Sequence, residues 1–181
     1  MGKYKYLQKY SNQNKKRYAY NENHFRTLFI EDIEAEEKRL GFRFPEQLRE
    51  FWLEIGYGSI RVGAKTGPDW SCPHHNSILR PDQIADILLS NEDDPNSPVL
   101  PEFYELLRPG YMPFFEIGDS ISFLYMRPQS DNPNAIWYGR DKICDSFEEF
   151  IHRLYYESPT FYCEDEPKEK SSKAPGANEE N

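Results

Sequence analysis

The chain has 181 residues, with 22 Lys or Arg against 31 Asp or Glu and a formal charge of −9. That length predicts one domain with disordered ends. So acidic a chain is a poor nucleic-acid binder and suits docking of a basic protein. No apolar run approaches the roughly 20 residues needed to cross a bilayer, and no hydrophobic region follows the basic N-terminus, so neither a membrane span nor a secretory signal is predicted.

The first 20 residues hold Lys3, Lys5, Lys9, Lys15, Lys16 and Arg17 and no acid, with Tyr4, Tyr6, Tyr10, Tyr18 and Tyr20 mixed among them. Tyr6 stands where myristoylation favours Ser or Thr. Residues 1–24 read as a basic, Tyr-rich arm, 25–162 as the folded domain, and 163–181 as a polar tail. From Glu164 onward there is no large apolar residue, so the tail cannot bury enough surface to offset chain entropy. With arm and tail set aside, residues 21–163 carry −12.

Phe29, Ile30, Ile33 and Leu40 fall roughly on one face of a first helix, with Glu34 four residues ahead of Lys38 in the favourable order. Gly41 is its stop, since glycine takes the left-handed C′ conformation without steric cost. After Gly-Phe-Arg-Phe-Pro, Pro45 opens a second helix. Leu48, Phe51, Trp52 and Ile55 then recur at i, i+3, i+4 and i+7, an apolar stripe that ends at Gly56. A Gly-Tyr-Gly turn follows, with a strand predicted near 59–62. Pro81 and Asp82 begin a short helix through Ile84, Ile87, Leu88 and Leu89. An acidic, Pro-containing loop at 91–101 and a brief helix at 102–107 come next. Beyond Pro113 the pattern changes to short strands rich in aromatic and β-branched residues, at 114–117, 121–126, 135–138 and 142–143. Ser146 and Glu149, three apart, form a capping box for a last helix whose apolar face is Phe147, Phe150, Ile151 and Leu154. The fold class is α+β: an N-terminal helix pair, a mixed, mainly antiparallel sheet and a C-terminal capping helix.

Reactive chemistry finds little footing. Cys72-Pro73-His74-His75 is the one cluster of metal-ligand types, but adjacent histidines seldom share an ion and no second spaced pair exists, so no metal is predicted. Cys72, Cys144 and Cys163 make an odd count without framework spacing, which fits free thiols in a reducing cytoplasm. No serine sits in a G-x-S-x-G elbow. Gly63–Gly67 lacks the order of a phosphate-binding loop, and Glu92-Asp93-Asp94 lacks the alternating acids and glycine of a calcium loop. No catalytic residue and no cofactor is assigned.

Candidate partner contacts are acidic and aromatic. Glu46, Glu50 and Glu54 recur every four residues as an acidic ridge opposite the apolar stripe. Like charges at that spacing cost the helix a few tenths of a kcal/mol each, and Arg49 relieves only part of this. The ridge is either a dock for a basic partner or ordinary surface acidity. Tyr57, Trp70 beside Asp69, and Trp137-Tyr138 are interface anchors or core residues, since Trp and Tyr are enriched at hot spots. One of Trp137 and Tyr138 must face inward, because strand neighbours point oppositely. Glu92, Asp93, Asp94 and Asp119 complete the candidate set.

The motifs, taken in order, resemble the SUKH superfamily of fungal cell-wall assembly regulators and bacterial immunity proteins. They are Ile33-Glu34-Ala35-Glu36 through Leu40-Gly41-Phe42-Arg43-Phe44-Pro45, then Leu48-Arg49-Glu50-Phe51 and Ile55-Gly56-Tyr57-Gly58. Ile78-Leu79-Arg80-Pro81, Met112-Pro113-Phe114-Phe115-Glu116-Ile117-Gly118-Asp119 and Ser146-Phe147-Glu148-Glu149-Phe150 follow. The resemblance spans roughly 29–156. The sequence departs from the pattern at Ser120, where members often have a second Gly, and in the arm, which is not part of the shared domain. The resemblance implies a non-catalytic cytoplasmic antidote that binds a basic toxin, often a nuclease, and touches neither nucleic acid nor membrane. The alternative it leaves open is an intracellular regulatory scaffold whose arm and tail recruit partners.

Overall fold

The computed structural model describes residues 2–12, 23–65, 76–90, 110–118 and 122–163. The helix pair forms where the spacing places it. α1 (Ile30–Leu40) ends at Gly41, whose φ of 74° lets its N–H reach Glu37 O at 2.9 Å. In α2 (Glu46–Glu54) and the residue after it, Leu48, Phe51, Trp52 and Ile55 are all fully buried. Each such side chain contributes about 1.5–3 kcal/mol of transfer free energy. Trp52 satisfies its indole by donating from Nε1 to Leu79 O at 3.1 Å. Glu37 ties the corner between the two helices. Its Oε1 accepts from Phe44 N at 2.8 Å, and its Oε2 is ion-paired with Arg49. Arg49 is buried and serves this corner, so it does not relieve the acidic ridge as its position suggests.

Among the described residues the strands form one seven-stranded sheet paired in strict chain order, with every ladder antiparallel. They are β1 (His24–Arg26), β2 (Tyr57–Ser59), β3 (Ser77–Ile78), β4 (Met112–Ile117), β5 (Ser122–Met126), β6 (Ile136–Tyr138) and β7 (Asp141–Cys144). A parallel bridge from Ser11 to Phe25 covers part of the β1 edge, and Asp141 and Lys142 place charge on the β7 edge, both of which discourage edge-to-edge pairing. α3 (Pro81–Leu89) lies between β3 and β4, and α4 (Phe147–Tyr156) follows β7. The α+β architecture with a closing helix is the one expected. The helix predicted at 102–107 falls outside the described residues.

Two local readings change. The strand placed at 59–62 lies at Tyr57–Ser59, and Gly-Tyr-Gly opens it rather than turning the chain. A Cβ on Gly56 would meet Arg26 O at 1.9 Å, and one on Gly58 would meet His24 O at 2.1 Å, so the glycines admit the backbone of β1. The capping box at α4 is half made: Ser146 Oγ accepts from Glu149 N at 3.1 Å, while Glu149 Oε2 accepts from Asp145 N rather than from Ser146.

The core is unusually aromatic, and a bulge arranges it. The register between β4 and β5 shifts between Pro113 and Phe115, and Phe114 and Phe115 are both fully buried although strand neighbours normally diverge. Both rings meet Phe150 of α4, at 5.6 and 5.1 Å between centroids. Phe147 joins them to Phe51 of α2 at 5.3 Å. Two buried asparagines stand in for missing ladder partners. Asn23 Oδ1 accepts from Arg61 N at 2.7 Å and Val62 N at 2.9 Å, and its Nδ2 donates to Val62 O. Asn76 donates to Pro159 O at 2.6 Å and accepts from the Tyr162 hydroxyl, fastening the C-terminal 3-10 turn (Phe161–Cys163) to the sheet.

Part of the segment read as a basic, Tyr-rich arm contributes to this core. In the 3-10 helix Lys5–Tyr10 and the turn before it, Leu7 N donates to Tyr4 O at 2.8 Å, and both Tyr4 and Leu7 are fully buried. Tyr4 meets Phe51 edge-on at 4.9 Å.

Buried phenols and a buried thiol make the fold sensitive to alkali. Burial raises the pKa values of Tyr4 and Tyr6, pushes Tyr125 up to about 12, and pushes Cys144 up to about 11 even with the Arg153 guanidinium nearby. All four hold their protons more tightly folded than unfolded. Their contribution to stability is therefore complete below the unfolded values, roughly 8.5 for a thiol and 10 for a phenol, and is lost as pH rises through the folded values. The midpoint of urea unfolding is expected to decline above about pH 9, with part of the tyrosine absorbance change at 295 nm arriving only as structure is lost. Complete tyrosine titration with an intact circular dichroism spectrum contradicts this.

Candidate partner-binding surface

The acidic ridge forms on α2 as the spacing predicts, but its carboxylates differ in what they touch. Glu46 is exposed. Glu50 Oε2 takes Lys3 Nζ at 2.8 Å, and Glu54 Oε1 accepts from Tyr4 N at 2.9 Å. Lys3 also approaches Glu148 of α4 at 3.8 Å. Gln47 Oε1 accepts from Glu148 N at 3.0 Å, holding the starts of α2 and α4 together. The repulsion along the ridge is thus offset from within, by the N-terminal segment. The Lys3 pair is half exposed on both sides and worth about 0–1 kcal/mol, so burial of Tyr4 and Leu7 is what seats the segment. Leu53, 45 % exposed, stands on α2 beside Glu50 and Glu54.

Tyr57 is half-buried, with the Arg80 guanidinium over its ring at 5.6 Å and Asp82 Oδ2 holding that guanidinium at 2.7 Å. It lies in a cleft of about 490 Å³ between the β1–α1 corner and the start of α3. Asp69, Trp70, Glu92, Asp93, Asp94 and Asp119 lie outside the described residues, as do Cys72, His74 and His75. Of the aromatic pair, Trp137 is half-buried and Tyr138 exposed. Trp137 shares the Arg127 guanidinium with Tyr111, at 5.3 and 5.1 Å.

Phe29 is the residue whose placement differs most from expectation. Assigned to the apolar face of α1, it is 74 % exposed, and within that stripe Ile33 alone is fully buried. Phe29 occupies the N-cap position, where Ser, Thr, Asp or Asn would stabilise the helix by about 1 kcal/mol. It contributes no cap oxygen, and its own N–H is taken by Asp32 Oδ2 at 3.1 Å. The signal was present in the sequence: a bulky aromatic immediately ahead of Ile30-Glu31-Asp32, where a polar cap belongs.

Cys144 is buried and protonated at neutral pH, the wrong state for a nucleophile. Among the described residues no group of three or more His, Cys, Asp or Glu is placed to hold a metal ion, and no helix is long and apolar enough to cross a membrane.

The immunity protein YxxD of Bacillus subtilis (strain 168) is 30 % identical to this chain over 133 residues, which is 74 % of this chain and 84 % of that protein. No solved structure matches. Residues 30–153, from the first turn of α1 into α4, match the SMI1 / KNR4 family (SUKH-1), and the chain belongs to that family.

Proposed function

We propose that this chain is an immunity protein of the cytoplasm, which binds a protein toxin and neutralises it by occupying its surface without bond chemistry of its own. The similarity to an immunity protein along most of both chains carries the reading. The net charge of −9 supports a basic toxin, and a nuclease must be basic to hold nucleic acid. In this reading Asp69, Trp70, Glu92, Asp93, Asp94 and Asp119 stay as candidate contacts, together with Glu46 and Tyr57, while Glu50 and Glu54 are already engaged by Lys3 and Tyr4. The scaffold alternative assigns recruitment to the arm and tail, and burial of Tyr4 and Leu7 in the core leaves less of the arm to serve it.

Co-expression with the toxin encoded beside its gene tests the proposal. Growth is expected to be restored, and the two purified proteins are expected to bind with an affinity that falls as salt rises. Neither rescue nor binding, with both proteins folded, ends the reading.

A further inference from the structure

The cleft between the β1–α1 corner and α3 brings together a largely exposed aromatic ring and one carboxylate, Glu31, that the chain leaves without an ion pair among the described residues. Phe29 projects at its rim, largely exposed. Glu31 lines it with no ion pair of its own among the described residues, alongside Asp32, Glu36 and Asp82. Arg80 is the one cation in the lining, and it is held by Asp82 and laid over Tyr57. Glu36 is paired with Arg39 at 2.6 Å and Asp32 accepts from Phe29 N, so four carboxylates stand against two guanidinium groups and the cleft keeps a net negative charge around an aromatic floor and rim. On α2 the chain's own Lys3 and Tyr4 occupy two of three carboxylates, and the exposed apolar side chain there is Leu53, a type under-represented at hot spots. Binding energy at protein interfaces concentrates on aromatic anchors, and charge complementarity sets the approach. Both point to this cleft.

We propose that the cleft is the docking site for a cationic segment of the toxin, which sets an apolar side chain against Phe29 and a lysine or arginine against Glu31. This rests on the immunity reading and adds to it where the partner is held. A cation there gains from the net negative charge of the cleft.

The test uses the full chain and an inactive form of the toxin encoded beside its gene. Phe29→Ala is expected to weaken binding about 30-fold, mostly through faster dissociation, as for a hot-spot anchor. Glu31→Lys is expected to slow association and flatten its salt dependence. Asp131→Lys, on the exposed turn between β5 and β6, is expected to leave affinity within about threefold, as for a residue outside the hot spot. Because Phe29 and Glu31 are exposed, melting temperatures report whether the variants stay folded. Tight binding by both folded cleft variants overturns the docking site while the immunity reading stands. Absence of binding by the unmodified chain overturns both. A self-association of the free protein that Phe29→Ala abolishes would assign the cleft to a second copy and overturn the proposal.

Discussion

Tyr4→Ala is expected to lower unfolding free energy by about 3–5 kcal/mol, the range for removing a large buried aromatic. The ring is fully buried, edge-on to Phe51 at 4.9 Å and to Phe147 at 6.3 Å, so it joins α2 to α4 through the centre of the core. Against a total of about 5–15 kcal/mol for a domain, the loss should bring the urea midpoint down by about a fifth or more. Tyr4→Phe separates packing from polarity. The hydroxyl is buried with no hydrogen-bond partner among the described residues, so phenylalanine keeps the ring and removes a poorly satisfied group, with stability equal to or above the parent. Were residues 2–12 a dispensable arm, both variants and a truncation lacking them would unfold like the parent. Equal urea curves for Tyr4→Ala and the parent would therefore overturn this account of the N-terminal segment.

Arg49→Ala carries the second large effect. Arg49 and Glu37 are paired with side chains 9 % and 14 % exposed, and Glu37 also accepts from Phe44 N at 2.8 Å where the chain turns from α1 to α2. Deleting the guanidinium leaves a carboxylate in a largely dry corner, a loss of about 3–5 kcal/mol when one member of a buried pair is removed. The pair itself contributes much less than that, because both charges were desolvated to make it. Glu37→Gln combined with Arg49→Met is accordingly expected to recover most of the stability lost in Arg49→Ala. The amide oxygen still serves Phe44 N, and the thioether fills the arginine's volume. Urea denaturation of the single and double variants decides the matter: a double variant as unstable as Arg49→Ala would mean that packing, not an unpaired charge, is responsible.

Legibility of the sequence tracked the range of the interaction that makes each element. α2 was plain because Leu48, Phe51, Trp52 and Ile55 repeat with the helix and all reach the core. The strands β4 to β7 were found within one or two residues, because aromatic and β-branched runs alternate there with short Gly- and Pro-bearing breaks. β1 and β3 were missed. His24–Arg26 and Ser77–Ile78 are too short to show a period, and they are strands only because partners distant in sequence lie beside them. The buried N-terminal segment was hidden by its lysines. Tyr4 and Leu7 are three apart, which matches the turn of a 3-10 helix, yet four neighbouring polar or charged residues made the stretch look solvated. Of the candidate contacts, the ridge was found but its occupation by Lys3 and Tyr4 was not, since no local pattern links position 3 to position 50. Phe29 was misjudged because periodicity says which face a residue is on, and not whether anything lies opposite.

The strict order of the sheet has a bearing on how the molecule comes together and apart. From β4 onward each strand docks on the one made just before it, across short connections, so this half needs few encounters between distant parts of the chain. The two ends differ. Tyr4 must find Phe51 and Phe147, and Asn76 must find Pro159 and Tyr162, each across dozens of residues or more. Closures of that reach carry the larger ordering entropy, so native-state hydrogen exchange is the measurement that would show whether opening begins at the terminal segments.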